Sequence, residues 1–461
     1  VIGILGIVLS LALLIVLAYR GWNVIFIAPL CAGVALLFNW QEAPLLATYS
    51  QVYMPAMGNF LAKFFPLFLL GAVFGKLMED SGAAKAIALG IVRLIGAERA
   101  ILAVVLACAI LTYGGVSLFV VAFSVYPIAM QLFRSAQIPK RLIPGAIALG
   151  SFTFTMTALP GTPAIQNAIP MPFFHTTPFA APGMGIIAGL FMLVCGQLWL
   201  SRRAALARTA GEGYGEHHDV IVEEDNRDLP NVWLALLPLA SVIALNALFT
   251  YVVIPAMDTG YLAMPKFGKV SLPAVLGVWA IIAAMAIAVL LVVLLNLSRF
   301  RDVRASITEG TLGSLLPVCN TAAEVGYGAV ISGLGAFIAF RETLKSVVGD
   351  PLVSVAVVVN TLAGLTGSAS GGLSLTLQAM GEYYRNAALA AGIDPEVMHR
   401  VATLASGGLD ALPHNGAVIT LLAITRLTHK DSYKDILFCA VVFPVLSGFL
   451  VVGLNAVFGT F

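Results

Sequence analysis

The chain has 461 residues, of which 60% are apolar and 10% charged, with a net charge of +2. A soluble domain averages about 45–50% apolar and about 25% charged residues, so this composition excludes a cytoplasmic enzyme, a secreted disulfide scaffold and a disordered chain. What remains is an all-α polytopic membrane protein, because the apolar runs are long and unbroken where a β-barrel would alternate, and the near-neutral charge gives no sign of a nucleic-acid partner.

A helix crossing the bilayer takes about 20 apolar residues at about 1.5 Å each. In chain order, the first such runs are Val1–Ala18, Asn23–Asn39 and Phe60–Leu77. The first reads as a transmembrane helix rather than a cleaved signal peptide, since a second span follows it at once. From Ala100 to Phe133 there is no Asp, Glu, Lys or Arg. One straight helix of that length would measure about 50 Å, against an apolar core of about 30 Å. Its middle, Thr112-Tyr113-Gly114-Gly115-Val116-Ser117, carries helix breakers. The run therefore predicts a re-entrant helical hairpin over about 100–133, tolerated only where protein or a watery cavity satisfies its backbone. A broken helix is expected over about 142–168, because Pro160 and Pro163 lack the amide donor that a helix needs. Met184–Leu200 closes a first transmembrane unit of residues 1–200.

Residues 201–231 read as a cytoplasmic linker. It opens on Arg202, Arg203 and Arg208 and continues through Glu212, Glu216, His217, His218, Asp219, Glu223, Glu224 and Asp225. A His-His-Asp cluster can bind metal, but the mixed, low-complexity composition favours a solvated linker. The second unit, 232–461, holds spans at Val232–Ile254, Ser271–Leu297, about Thr311–Phe340 and Ile436–Val457. Between them lie an uncharged hairpin over about 351–384, centred on Thr366-Gly367-Ser368-Ala369-Ser370-Gly371-Gly372, and a broken helix over about 400–425 around Pro413. The five cysteines, Cys31, Cys108, Cys195, Cys319 and Cys439, fall in separate apolar segments with no close pair, which favours packing over metal or disulfide roles.

The features repeat. Gly114-Gly115-Val116-Ser117-Leu118 matches Gly371-Gly372-Leu373-Ser374-Leu375 at an offset of 257, and Ala158-Leu159-Pro160 matches Ala411-Leu412-Pro413 at 253. Two homologous halves follow from the near-constant offset. Basic residues orient them. Stretches 79–99, 134–141, 201–208, 299–304 and 426–434 are rich in Lys and Arg, whereas 40–59 and 168–183 have none. All the basic stretches fall on the cytoplasmic side if the two hairpins enter from opposite faces, with both termini outside, which makes the halves inverted. Lys266, Lys269, Arg341, Lys345 and Arg385 then fall outside, against the bias.

The four breaks place helix ends near the bilayer midplane, where unpaired amides suit an anion. Thr112, Gly114, Gly115, Ser117, Thr162, Gln166, Asn167, Thr366, Ser368, Ser370, Gly371, Asn415 and Thr420 supply neutral donors and acceptors there, as a small hydroxy-carboxylate anion would require. No Lys or Arg stands near any break in the sequence, which points to a monoanion. Ionisable residues inside apolar segments are costly and functional by default. Asp410 and His414 flank the second break, and Glu324 stands in Asn320-Thr321-Ala322-Ala323-Glu324; these three are the candidates to carry a coupling proton. The chain has neither a Gly-x-Ser-x-Gly nucleophile motif nor a two-histidine metal pattern in its apolar segments, which argues against an enzyme. Inverted halves with converging helix breaks argue against a channel.

Gly367–Leu373 (Gly-Ser-Ala-Ser-Gly-Gly-Leu) and Gly408–Ala417 (Gly-Leu-Asp-Ala-Leu-Pro-His-Asn-Gly-Ala) resemble the gluconate permease family. Within it they look most like the branch of 3-hydroxybutyrate and related hydroxy-acid permeases. The resemblance extends over nearly the whole chain. It implies proton symport of a small hydroxy-carboxylate across a bacterial inner membrane. It also implies membership of a larger group of ion-coupled transporters: homodimers whose mobile transport domain, built from two hairpins and two broken helices, moves as an elevator against a scaffold. Relatives that use sodium carry Ser-Asn-Thr at their hairpin tips. The first tip here, Tyr113-Gly114-Gly115-Val116-Ser117, has no Asn, so H+ is favoured over Na+ and no cofactor is expected. A sodium-coupled di- or tricarboxylate transporter is the alternative.

Overall fold

In chain order, the first half of the protein runs through α1 (Ile2–Tyr19), α2 (Val24–Leu37), α3 (Leu45–Asp80), α4 (Ala83–Ile95), α5 (Ala100–Tyr113), α6 (Leu118–Ser135), α7 (Ile143–Ser151) and α8 (Pro182–Thr209). The second half runs through α9 (Val232–Val253), α10 (Leu272–Leu295), α11 (Val303–Ser332), α12 (Pro351–Thr366), α13 (Ala369–Ala390), α14 (Pro395–Ser406), α15 (Gly416–Thr425) and α16 (His429–Phe458). The structure, a computed structural model, describes residues 2–216, 229–338 and 349–461, and within them every regular element is helical. The His217-His218-Asp219 cluster, Arg341 and Lys345 lie outside the described residues. Among the described residues six helices are long and apolar enough to cross a membrane, or seven if α4 and α5, bent by 104°, are counted together.

The helices follow the logic of a lipid-facing protein. In α10 the small residues Gly277, Ala280, Ala284 and Ala288 are buried while Leu290 and Leu294 are exposed, so backbones approach inside and large side chains face outward. Starts are capped by short polar side chains: Asn23, Asn231, Asp302, Asp350 and Asp394 each accept from a first-turn amide.

The two halves repeat one packing scheme. α1 packs on α2 as α9 packs on α10, and α5 packs on α7 as α12 packs on α14. α2 crosses to α11 while α10 crosses to α3, so the halves exchange equivalent helices. The longest seam is that between α3 and α11, which carry internal prolines at Pro66 and Pro317. One seam is unequal: α13 lies along α11, whereas α6 meets α3 only briefly.

The structure adjusts the sequence register in four places. Gly371 and Gly372 are not in the turn of the second hairpin but in the first turn of α13, one helical turn later. The residues that make the turns are Gly114–Ser117 and Gly367–Ser368, with positive φ at Gly115 (97°) and Gly367 (64°). Gly367 follows Gly114 by 253 residues, the same interval that separates Pro160 from Pro413, so the 257 offset gives way to 253 throughout. The basic stretch 79–99 is mostly helix: Ala84, Ile87, Ala88 and Ile91 of α4 are buried while Leu94 is exposed, an amphipathic pattern that Lys85 and Arg93 obscured. α8 runs on to Thr209, past the expected linker boundary at 201. The first broken helix unwinds at Phe152 and Thr153, ahead of its prolines, where Ser151 and Thr153 donate back to Ile147 O and Leu149 O.

A charged clamp fixes the ends of α7, α8 and α16. Asp435 is fully buried and accepts from Trp199 Nε1 and Arg203 Nε, both at 3.0 Å. Arg141 Nη1 stands 3.6 Å from the other Asp435 oxygen and Arg141 also makes a forked pair with Glu212 at 2.7 and 2.8 Å. The bond from Arg141 holds the Glu212 carboxyl below its ordinary range. That arm therefore stabilises above the unfolded-state value and weakens as pH falls through the folded one. Asp435→Asn should leave Arg203 without its carboxylate and Arg141 with Glu212 alone. Breaking a buried pair costs about 3–5 kcal/mol; the arginines are 24% and 22% exposed, so the low end is expected. A Trp199 fluorescence melt in detergent reads the loss; an unchanged midpoint removes the clamp from the stabilising interactions.

Candidate functional site

Each hairpin tip is tied to the broken helix of its own half. In the first half the Tyr113 hydroxyl, at the end of α5, donates to Pro160 O at 2.7 Å. Beside it Thr112 Oγ1 is buried without a partner, and Ser117 opens α6 with a hydroxyl that makes no cap bond. Gly114 ends α5 and Gly115 turns the chain. Across the tip, Thr162 is fully buried and accepts from Ala164 N, and Gln166 Oε1 is buried with no partner.

In the second half Asn415 makes the tie. Its Nδ2 donates to Gly367 O at 2.8 Å while its Oδ1 accepts from Ala417 N and Val418 N, capping α15. His414 Nε2 donates to Gly364 O at 3.0 Å. Ser368 Oγ accepts from Gly371 N and so caps α13, and the Ser370 hydroxyl meets that of Thr321 at 3.3 Å. Asp410 Oδ1 is buried and unpartnered. Thr366 and Thr420 donate to Leu362 O and Gly416 O of their own helices, so these hydroxyls serve their backbone in this arrangement. Glu324 approaches the same tip from the other side, out of α11, where it packs on Gly371.

The two breaks meet each other. A Cβ on Gly407 would reach Thr157 Cγ2 at 2.8 Å, so only glycine allows this close approach. Between them lies the residue that sequence reasoning missed. Arg400 is fully buried; its Nε and Nη2 donate to Ala180 O at 3.1 and 2.7 Å, and its Nη1 donates to Thr157 O and Asn167 Oδ1, both at 3.2 Å. The expectation that no basic group stands near a break is thereby corrected: an arginine of the second half reaches the first break. Asn167 Nδ2 donates to Thr162 O and Pro178 O, which fixes the orientation of its amide. Asn167 Oδ1 therefore accepts from His399 Nε2, and His399 Nδ1 meets the Thr176 hydroxyl at 2.6 Å; full burial beside the Arg400 charge favours the neutral imidazole, with Nδ1 as the acceptor. Among the described residues no carboxylate pairs with Arg400; Glu396, one turn earlier, accepts from Ala181 N instead. Four bonds to carbonyl oxygens hold the guanidinium, and its charge reaches the Tyr113 hydroxyl at the first tip. The clue in the sequence was the helical register: Arg400 and Thr403 share one face of α14, and Gly407 caps it one turn further on.

These features can be set against known proteins. A model of the GntP family permeases matches residues 2–314. The transporter YxjC of Bacillus subtilis (strain 168) is 45% identical over 469 residues, covering 97% of this chain and 99% of that protein. The crystal structure of the Alcanivorax borkumensis YdaH transporter superposes with a TM-score of 0.60 at 17% identity, over 91% of this chain and 90% of that one. Neisseria gonorrhoeae MtrF gives 0.57 at 14% identity, over 90% and 85%. These two likenesses concern the fold.

Asn415 joins tip to break by two separate sets of bonds, and its replacement separates them. Asn415→Ala should lose a cap worth about 1 kcal/mol and a bond worth about 0.5–1.5 kcal/mol. Asn415→Ser should keep a cap and lose the bond to Gly367 O, which its shorter side chain does not reach. Thermal midpoints in detergent are expected in the order wild type, Ser, Ala; equal midpoints for all three would mean that the tie carries no stability.

Proposed function

The chain belongs to the GntP permease family, and from that premise we propose that it is a proton-coupled symporter of a small hydroxy-monocarboxylate, gluconate- or 3-hydroxybutyrate-like. That it is a transporter follows from the family and from the relatives; the substrate and the coupling ion are our inference. One observation carries the inference on substrate. Arg400 is a fully buried cation set where the two breaks meet; among the described residues no carboxylate is hydrogen-bonded to it, and Glu396, one turn earlier, acts on it only through space. A buried charge with no opposite charge in direct contact is costly, and one carboxylate bound at the tips would lower that cost. Ser117, Gln166, Thr112 and Ser368 at the tips and breaks would supply polar atoms for the carboxylate and hydroxyl groups, and the resemblance of Gly408–Ala417 to hydroxy-acid permeases supports the same substrate class.

Asp410 and His414 are the proposed proton carriers. Protonating either one removes negative charge or adds positive charge beside an anion, so substrate and proton favour each other's binding, and the coupling is reciprocal. The hairpins, broken helices, α8 and α16 would form the moving body of a homodimeric elevator in the bacterial inner membrane, against a scaffold of α1–α3 and α9–α11. The repeated packing of the two halves supports the inverted arrangement that such a cycle needs.

Two experiments test this. In proteoliposomes an imposed pH gradient should drive uphill uptake of 3-hydroxybutyrate or gluconate, with citrate a poor competitor and choline an adequate replacement for sodium. Asp410→Asn should abolish uphill uptake and leave counterflow exchange measurable. Strict sodium dependence would overturn proton coupling. In a cysteine-free background, single cysteines at Arg134 and Arg385 should label from opposite faces of the membrane; labelling from one face would overturn the inverted arrangement.

A further inference from the structure

The seam between α11 and the second hairpin contains a carboxyl that substrate binding does not account for. Glu324 is 3% exposed and its Oε2 has no hydrogen-bond partner. It lies against Gly371 in the first turn of α13, where an added Cβ would collide with both carboxyl oxygens. From the other side comes Tyr53, 2% exposed, whose hydroxyl also lacks a partner and which lies within electrostatic reach of Glu324. Tyr53 ends a π-helical turn of α3, Tyr49–Tyr53, and Tyr49 stacks on it at 5.5 Å. Such turns widen a helix locally and tend to mark functional positions.

The surroundings offer Glu324 no counter-charge. α3 presents Tyr53, backed by Tyr49. α13 presents Ser370, Gly371 and Leu375, and Ser370 bonds to Thr321 of α11. α2 brings Cys31 toward Tyr327 further along α11, and α1 brings Ser10, bonded to the same tyrosine at 2.8 Å. No Lys, Arg or His pairs with Glu324 among the described residues. An ionised carboxylate is strongly disfavoured in such a place, whereas a neutral carboxyl is tolerated. The first half has no equivalent: α6 touches α3 lightly, and there Gly75 faces the Ser117 backbone.

We infer that Glu324 is a protonation latch on the second hairpin: with a proton on its carboxyl the hairpin seats on α11, and without one the carboxylate draws water into the seam and the hairpin lifts. The proton comes from the solution on that side and returns to it, with no other reactant. The latch deepens the proton-coupled reading above by giving the proton control of one hairpin only, the one that lies along α11 here.

The seated state can be trapped at Thr321 and Ser370, whose hydroxyls touch. Thr321→Cys and Ser370→Cys, in a chain with its native cysteines replaced, should cross-link under copper phenanthroline. The same pair is made with Glu324→Gln, a permanently neutral side chain, so that the pH dependence of thiol oxidation cancels in the ratio. In acid the ratio should be near one. Above the transition the carboxyl form should cross-link less, by up to about tenfold per pH unit, as one proton requires. A ratio that is flat with pH overturns the latch, and so does one that responds to sodium at fixed pH, which would mark a cation site. Should the cysteine pair fold poorly, hydrogen exchange of the first turn of α13, compared between wild type and Glu324→Gln, gives the same ratio. If the latch fails while a pH gradient still drives uptake, the transport proposal stands alone. If the latch holds while a pH gradient drives nothing, Glu324 is a pH gate and proton coupling falls.

Discussion

A chain that breaks its helices within an apolar layer must find a partner for every backbone group it frees. Water is not there to help, and an unpaired carbonyl or amide costs more than most side-chain contacts return. In this transporter the answer is specific at each break. Tyr113 satisfies Pro160 O, Asn167 satisfies Thr162 O and Pro178 O, and Arg400 satisfies Thr157 O and Ala180 O. On the other side His414 and Asn415 satisfy Gly364 O and Gly367 O. The polar side chains near the breaks are first of all the backbone's partners. A substrate can be served only by the groups left over, among them Thr112, Ser117 and Gln166.

This division explains which parts of the molecule could be read from the sequence. Local signals were sound: an uncharged run too long for one span with glycines at its centre does form two helices and a turn. The exact register was harder. Gly-Gly pairs occur in both hairpins, but Gly114-Gly115 makes a turn whereas Gly371-Gly372 lets α11 and α12 come close to α13, so the same residues answer different demands. Lys85 and Arg93 suggested a loop because basic residues mark the membrane edge; an amphipathic helix lying at that edge carries the same residues. Arg400 was out of reach for another reason. Its partners are 243, 233 and 220 residues away, and only the folded chain brings them together.

The buried polar groups fall into two kinds, and the difference bears on how a proton could do work here. Arg400 and Asn167 are bonded at every side-chain nitrogen and oxygen, within a network that ties α14 to the first break. Such groups hold geometry and set a field, and a change of charge on them would break the structure around them. Glu324, Tyr53 and Asp410 each present a buried oxygen with no partner. These atoms have no bond to lose, so a change in protonation or hydration can move them cheaply. A carrier that has to respond to a proton without unfolding would draw its sensors from the second kind and its scaffold from the first. The seams obey the same rule: α13 is seated on α11 through a contact with an unmatched carboxyl at its centre, while the ends of α7, α8 and α16 are joined through Asp435, a carboxylate held by Trp199 and two arginines. The first has no opposite charge at its centre and can open when Glu324 changes state; in the second two arginine charges stand against the carboxylate.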